Sequence, residues 1–271
     1  MIITGKTFAT KKEEIDYLVK HNKEIIEFKK AVVKHTTPTT TEIENPSVEF
    51  KALSTSKEHD TDSTIKRTVI GNTYNWLDSH GDVHLDGTFG KSISERQNKI
   101  WHLHDHEQKI TAKVGIPSKI YEETVQWSDL GIKKAGTTTA LMMDSNIRKD
   151  YNNLIFQEYK DGNIDQHSVG MYYVKIDFAV NDKDHKAEFK TWKDNIDKIG
   201  NKEKAEELGY FYAVKEAKLV EISAVLQGSN ELTPTIEAKD IEPEDSTQPN
   251  EPLTSTQYNS KNNNLRNNLL I

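Results

Sequence analysis

The 271-residue chain contains no cysteine, and long apolar runs are missing as well. The first absence excludes disulfide bonds, thiolate zinc sites and cysteine nucleophiles, and it fits a reducing compartment. No apolar run approaches the ~20 residues that a membrane-spanning helix needs. The opening stretch, MIITGKTFATKKEE, lacks the apolar segment of a signal peptide. We therefore expect no membrane partner.

An excess of positive charge is also lacking. Lysine and arginine number 36 against 43 aspartates and glutamates, which gives a formal net charge of −7. Nucleic-acid-binding proteins typically carry a basic surface, so we expect no nucleic-acid partner. Hydrophobic residues make up 34% of the chain and charged residues 29%. This balance predicts one ordinary core that is diluted by polar segments outside it.

Proline is nearly absent from the middle of the chain, where only Pro117 occurs between residues 47 and 233. The same stretch holds all four tryptophans, and large aromatic side chains need a core that buries them. We therefore predict a folded body over residues 47–235. It is flanked by an N-terminal piece, residues 1–46, and by a polar tail, residues 236–271.

The two flanks differ in character. Residues 10–35 have helical periodicity, and Thr10 with Glu13 forms a capping-box pattern. Asn22 and Lys29 interrupt the apolar stripe. The helix either packs weakly on the body or docks onto a partner or a second copy. A threonine- and proline-rich linker follows it. The tail is acidic and rich in proline and asparagine, which predicts disorder.

The body has mostly the composition of strands, with two helical segments. The first helix is expected over residues 145–160, capped by Asp144 or Ser145 and ended by Gly162. The second spans residues 184–208. Strands are predicted from β-branched and aromatic enrichment in four segments, TIKRTVIGNTYNW, KIWHLHDH, SVGMYYVKIDF and AKLVEISAVL. The fold class is therefore α+β.

Three histidines, His102, His104 and His106, alternate along one predicted strand. Alternate residues of a strand share a face, so the three rings could line up as zinc ligands do. The cluster resembles the HxHxDH signature of metallo-β-lactamase-type hydrolases, from which it departs by one residue. This pattern supports a zinc-dependent hydrolase as an alternative function. In the plainer interpretation one histidine has a chemical role and the others are exposed strand residues.

A second pattern indicates nucleophilic catalysis. Ser168 stands two residues before Gly170, and a serine hydroxyl becomes a nucleophile when a base takes its proton. The imidazole of histidine is the side chain that most often serves as such a base, so His104 is the candidate. Glu221 interrupts an apolar strand, which is costly unless its carboxylate is paired, and it shares a strand face with Ser223. The alternatives are a turn serine and a glutamate at an exposed edge.

In order along the chain, these pieces resemble the prohead maturation proteases of tailed phages, serine endopeptidases related in fold to herpesvirus assemblin. The resemblance covers residues 70–232. The family often has proline where Asp86 stands, and residues 181–210 look like a helical insertion. The matching motifs are Asp78-Ser79-His80-Gly81-Asp82-Val83, Asp86-Gly87-Thr88-Phe89, His104-Asp105, Val114-Gly115, Gly131-Ile132, Ser168-Val169-Gly170 with Met171 before Tyr172, Glu221-Ile222-Ser223-Ala224-Val225 and Ser229-Asn230.

The resemblance implies a fold and roles for individual residues. The fold would be a small, mostly antiparallel β-barrel surrounded by helices. Ser168 would be the nucleophile, His104 its general base and Glu221 the third member of a triad. Asp105 is the rival for the third position and His102 the rival base, whereas backbone amides near Ser168 or Gly170 are candidate oxyanion donors. No cofactor and no metal are implied.

The resemblance also implies a biological setting. The enzyme would cut the scaffold and the extensions of the major capsid protein during phage head assembly. It would act in the host cytoplasm, inside the assembling procapsid, with possible self-association. Self-cleavage is expected near residues 36–46 and beyond about residue 235, because extended chains fit a protease groove. A non-enzymatic structural protein of the virion is the remaining alternative.

Overall fold

The computed structural model describes residues 6–32 and 60–237. All of these residues belong to one compact unit. The predicted linker, the tail beyond residue 237 and the proposed self-cleavage region at 36–46 lie outside the described residues. Within the described residues, no helix has the length and apolar character needed to cross a membrane.

Eight strands in the described part of the chain form one sheet. Its order is β2-β7-β3-β4-β5-β1-β8, with β6 paired to β7, and the sheet is not closed. The β2 and β3 strands run parallel to β7, whereas the other pairs are antiparallel. The strands are β1 Thr64–Thr73, β2 Asp82–His84, β3 Trp101–His104, β4 Lys113–Gln126, β5 Thr137–Arg148, β6 His167–Val180, β7 Tyr210–Ala224 and β8 Thr235–Glu237.

Six α-helices accompany this sheet within the described ranges, so the architecture is mixed α and β. They are α1 Lys11–Lys20, α2 Asn22–Ala31, α3 Gly90–Arg96, α4 Asn153–Asp161, α5 Lys186–Asn195 and α6 Lys202–Leu208. The largest core cluster lies against the sheet and includes apolar side chains of α1, α2 and α4. The four predicted strand segments correspond to β1, β3, β6 and β7, which confirms these strand predictions.

The helix predicted over 145–160 is wrong in its first half. The chain remains in β5 as far as Arg148, because Ile147 is fully buried in the core there. The helix begins only after Asn152, whose side chain accepts a hydrogen bond from the Ile155 amide at 3.1 Å. Gly162 ends α4 with a left-handed φ of 78°, as predicted.

The segment 184–208 is helical, as predicted, but it is not a single helix. A short 3-10 turn at Ile196–Lys198 lies between α5 and α6. The apolar side chains of this region pack together with residues of β7 in a second core cluster, which includes Trp192, Ile199 and Phe211. The predicted helical insertion therefore has a packed core of its own against the sheet.

The predicted N-terminal helix is two helices, which meet at His21. The Thr10 hydroxyl accepts a hydrogen bond from the Glu13 amide at 3.2 Å, so the predicted cap is confirmed. Ile15, Leu18 and Ile25 of the apolar stripe are buried in the largest core cluster. The stripe is therefore covered by the body of this chain.

Lys29 stabilises this packing rather than interrupting it. Its side chain is 1% exposed and forms an ion pair with the fully buried carboxylate of Asp82, at the start of β2. The Lys29 ammonium also lies 4.3 Å from the ring centre of Tyr212. The Tyr173 hydroxyl donates to the same carboxylate at 2.7 Å. A buried charge pair therefore joins α2 to the sheet.

We predict that Lys29→Met destabilises the fold by about 3 kcal/mol, because removing one partner of a buried ion pair leaves the other charge uncompensated. Urea denaturation measures this loss. Methionine keeps most of the apolar stem, so the effect reports on the charge. Lys30→Met is the matched control, since Lys30 is exposed on the same helix. Equal stabilities of the two variants would contradict the prediction.

Candidate active site

Strands β6, β7 and β3 lie side by side and place two rows of residues across the sheet. In the first row, Ser168 pairs with Ser223, and Ser223 pairs with Leu103. In the second row, Glu221 pairs with Gly170 on one side and with Trp101 on the other. Directly paired residues project from the same face, with Cβ atoms about 4.5–5.5 Å apart.

Ser168, Ser223 and Glu221 therefore share one face of the sheet. This confirms the expectation that Glu221 and Ser223 share a face, and it adds Ser168 to them. All three side chains are buried: Ser168 is 4% exposed, and the other two are not exposed at all. The interpretation of Glu221 as an exposed edge residue is therefore wrong.

Among the described residues, Ser223 and His106 both form hydrogen bonds with the buried Glu221 carboxylate on this face. The Ser223 hydroxyl donates to Oε2 at 2.6 Å. The His106 Nδ1 atom lies 2.6 Å from Oε1. A carboxylate in a closed environment needs such partners to offset the loss of water. The three side chains therefore form one polar group beside Ser168.

Gly170 leaves room for this carboxylate. A Cβ atom at position 170 would overlap Oε1 of Glu221 and would lie 2.7 Å from its Cδ atom. Any larger residue would therefore displace the carboxylate from its place beside Ser168. This close approach gives a physical reason for a glycine two residues after the serine.

His106 reaches the site through an unusual turn after β3. Asp105 and His106 have φ angles of 50° and 56°, a region that non-glycine residues rarely adopt. The Asp105 amide donates to the Ala224 carbonyl at 2.9 Å, and the His106 amide donates to the Ser223 hydroxyl at 3.2 Å. These bonds hold the turn over the face that carries Glu221.

The sequence pattern indicated His106 only as a zinc ligand and did not predict its hydrogen bond to Glu221. The signal for that position was weak. A regular strand through residues 102–106 would place the three histidines on one face, and only the turn separates the third from the other two. Asp and His adopt a left-handed φ more often than most non-glycine residues, but both are also common in other conformations, so Asp105 and His106 do not by themselves predict the turn.

The structure does not bring His104 to Ser168 and Glu221. His104 is the last residue of β3 and pairs with Ala224, which in turn pairs with His167 on β6. This register places His104 on the opposite face from Ser168. Its Nδ1 atom lies 3.1 Å from Oδ2 of Asp105. On a regular strand these two neighbouring side chains would point to opposite faces, but the chain leaves the strand at Asp105 and they meet.

His102 belongs to a buried chain of hydrogen bonds on that opposite face. Its Nδ1 atom lies 2.9 Å from the Ser145 hydroxyl, and its Nε2 atom lies 3.0 Å from the Tyr159 hydroxyl. The Tyr159 hydroxyl also lies 2.8 Å from Nε2 of His167. The His167 Nδ1 atom lies 2.9 Å from the Thr233 carbonyl oxygen. His102, the rival base, is thus engaged away from Ser168.

The direction of each bond in this chain follows from the Thr233 carbonyl, which only accepts. His167 donates to it from Nδ1, so Nε2 of a neutral His167 accepts from the Tyr159 hydroxyl. The Tyr159 oxygen then accepts from Nε2 of His102, and Nδ1 of His102 accepts from Ser145. Every member is satisfied when both histidines are neutral. Burial lowers the pKa of His167 to about 4 and holds the pKa of His102 well below its usual range.

The predicted set of zinc ligands is not assembled. Among the described residues, the one group of three potential ligand side chains within reach of each other is Asp16, Asp182 and His185. The Lys12 ammonium forms an ion pair with Asp182 in that group, 3.4 Å away. The three predicted zinc ligands are instead divided between two faces of the sheet, where they have other partners.

We predict that the contribution of His167 to the stability of the fold is lost as the pH falls from about 7 towards 4. The unfolded state binds a proton at a histidine pKa near 6.5, whereas the folded state resists it until His167 titrates at about 4. The contribution of His167 is therefore complete above pH 7 and decreases by up to about 3 kcal/mol at low pH. Urea denaturation at several pH values measures the slope. His167→Asn should have a smaller slope than the wild type, and equal slopes would contradict the assignment.

Comparisons with protein-family models, with curated protein sequences and with solved structures find no match. The prohead-protease resemblance therefore stays a prediction that depends on the motifs in the sequence. Independently of these motifs, the structure has a distinctive arrangement of side chains around Glu221. That geometry consists of a serine, a buried carboxylate and an imidazole that bonds to the carboxylate, all on one face of three paired strands.

Proposed function

We propose that this protein is a serine endopeptidase in which Ser168 is the nucleophile and Glu221 the orienting carboxylate. A histidine from the segment that ends β3 would be the general base. One observation carries the proposal: the fully buried Glu221 carboxylate bonds to an imidazole on the face that also holds Ser168. A carboxylate in that position selects the imidazole tautomer with a proton on Nδ1 and stabilises the imidazolium ion that forms during acyl transfer.

The proposed reaction proceeds through an acyl-enzyme. The Ser168 oxygen attacks the carbonyl carbon of the scissile peptide bond while the histidine takes the hydroxyl proton. The same histidine then protonates the leaving amine, the C–N bond breaks and an ester with Ser168 remains. A water molecule gives its proton to the histidine and attacks the ester. The carboxylic acid leaves, and the proton returns to the Ser168 oxygen.

We also propose that the sheet curls into the small barrel that the resemblance to assemblin implies. Two observations support this finer description. Strand β1 approaches β6 without pairing to it. The Ile222 side chain of β7 packs so closely on Gly71 of β1 that a Cβ atom at position 71 would lie 2.6 Å from Ile222 Cδ1. Strands distant in the pairing order are therefore close across the core.

The biological role proposed here follows the resemblance. The enzyme would act inside the assembling procapsid in the host cytoplasm, where it would cut scaffold protein and the extensions of the major capsid protein. Such substrates offer extended segments that a protease binds without first unfolding them. The zinc-hydrolase alternative receives no support from the described residues, because the three histidines do not form a shared ligand group.

We predict that Ser168→Ala abolishes both hydrolysis of unfolded casein and covalent labelling by a fluorophosphonate, because the nucleophilic oxygen is removed. Mass spectrometry of the labelled full-length chain should place the adduct on Ser168. Ser94→Ala is the matched control, since Ser94 lies on α3 and donates to the Lys91 carbonyl at 2.9 Å. Ser94→Ala should be labelled like the wild type. Hydrolysis or labelling that survives in Ser168→Ala would overturn the proposal.

We further predict that the wild-type chain trims itself near residues 36–46 and beyond about residue 235, whereas Ser168→Ala stays intact. Intact-mass measurement of both proteins after long incubation at high concentration detects the loss. A small amount of wild type is also mixed with excess Ser168→Ala. Trimming of the variant in this mixture shows that one molecule cleaves another, whereas trimming of the wild type alone shows cleavage within one molecule. Equal masses for wild type and variant would contradict self-cleavage.

A further inference from the structure

The geometry points to His106, rather than His104, as the general base that activates Ser168. This inference rests on the proposed serine endopeptidase function and names the residue that carries its proton transfers. The two histidines are close in sequence, and the resemblance assigns the role to His104. In the structure they lie on different faces of the sheet and have different carboxylate partners.

The tautomer of the His106 ring is the one that a general base needs. Its Nδ1 atom lies 2.6 Å from Oε1 of Glu221, and a carboxylate only accepts hydrogen bonds. Nδ1 therefore carries the proton, and in the neutral ring Nε2 is the nitrogen with the lone pair. This is the tautomer that a serine nucleophile requires, with the carboxylate behind the ring and the accepting nitrogen at the other end.

The backbone of His106 is also fixed on the nucleophile's face. Its amide donates to the Ser223 hydroxyl at 3.2 Å, and Ser223 is the direct cross-strand partner of Ser168. The Ser223 hydroxyl in turn donates to Glu221. Ser223 is therefore a positioning residue, which joins the main chain of the base to the carboxylate that orients its ring.

The ring of His104 also bonds to a carboxylate through Nδ1, but that pair is more exposed to solvent. Its carboxylate partner, Asp105, has a side chain that is 66% exposed, whereas that of Glu221 is fully buried. Exposed ion pairs contribute little orientation, because solvent screens them and the side chains move freely. The His104 side chain is 20% exposed, against 7% for His106.

The strained turn at Asp105 and His106 independently supports a functional role for the position of His106. Two successive non-glycine residues with left-handed φ angles cost on the order of 1–3 kcal/mol each. Continued strand geometry would avoid that cost and would leave the histidine away from Glu221. Three bonds already described retain the strained conformation: the Asp105 amide to Ala224, the His106 amide to Ser223 and the His106 ring to Glu221. A fourth closes the turn itself, from the Glu107 amide to the His104 carbonyl at 3.1 Å.

The experiment compares His106→Asn with His104→Asn in the full-length protein, by the rate of fluorophosphonate labelling and by kcat/KM on unfolded casein. Asparagine can donate to a carboxylate as the imidazole does, but it cannot accept the serine proton. We expect His106→Asn to lose about 100-fold to 10,000-fold in kcat/KM, the usual contribution of a general base. We expect His104→Asn to lose less than about tenfold. Added imidazole should restore part of the activity of a His106→Ala variant.

Each outcome has a separate meaning. A loss in His104→Asn that equals or exceeds the loss in His106→Asn overturns the assignment and leaves the serine endopeptidase proposal intact. Rescue of His104→Ala by imidazole, without rescue of His106→Ala, overturns it as well. Activity retained by Ser168→Ala overturns the proposed function itself. Thermal unfolding of all variants identifies any that fail to fold, and the imidazole rescue is then read only on folded protein.

Discussion

The buried carboxylate of Glu221 is the constraint on which the site depends. It lies on a strand that pairs with β6 on one edge and with β3 on the other, so its neighbours come from two distant parts of the sequence as well as from its own strand. An unpaired carboxylate there would cost several kcal/mol. Gly170 makes room for it, while Ser223 and His106 bond to it. The residues of the proposed catalytic site therefore also provide the hydrogen bonds and the space that the buried Glu221 carboxylate needs.

The two faces of the same three strands have different chemistry. One holds Ser168, Ser223 and Glu221, whereas the other holds His102 and His167 in a chain that satisfies neutral rings. Because His167 is adjacent to Ser168 in β6, this chain fixes the strand that presents the nucleophile. The buried ion pair of Lys29 and Asp82 similarly fixes the N-terminal helices on the sheet. Polar groups inside this protein thus set the register of its elements.

Much of the fold could be predicted from local pattern, because strands rich in β-branched residues and capped helix ends carry their signals in a few neighbouring residues. The first half of the predicted 145–160 helix failed, since the burial of Ile147 against the sheet decides its conformation. The prediction that Lys29 interrupts the apolar stripe was wrong for a related reason. Its ion-pair partner, Asp82, is distant in sequence. Ser168 and Glu221 were found through motif and apolar context. The position of His106 depends on a left-handed turn at Asp105 and His106, two residue types that permit such a turn but do not require it.

The most direct test of the account is a crystal structure of the full-length protein after reaction with a fluorophosphonate. We expect a covalent bond from the phosphorus to the Ser168 oxygen. We also expect Nε2 of His106 within about 2.6–3.2 Å of that oxygen, with Nδ1 still bonded to Glu221. An adduct on a different residue, or one on Ser168 with the His104 ring in that place and bonded to Glu221, would contradict it.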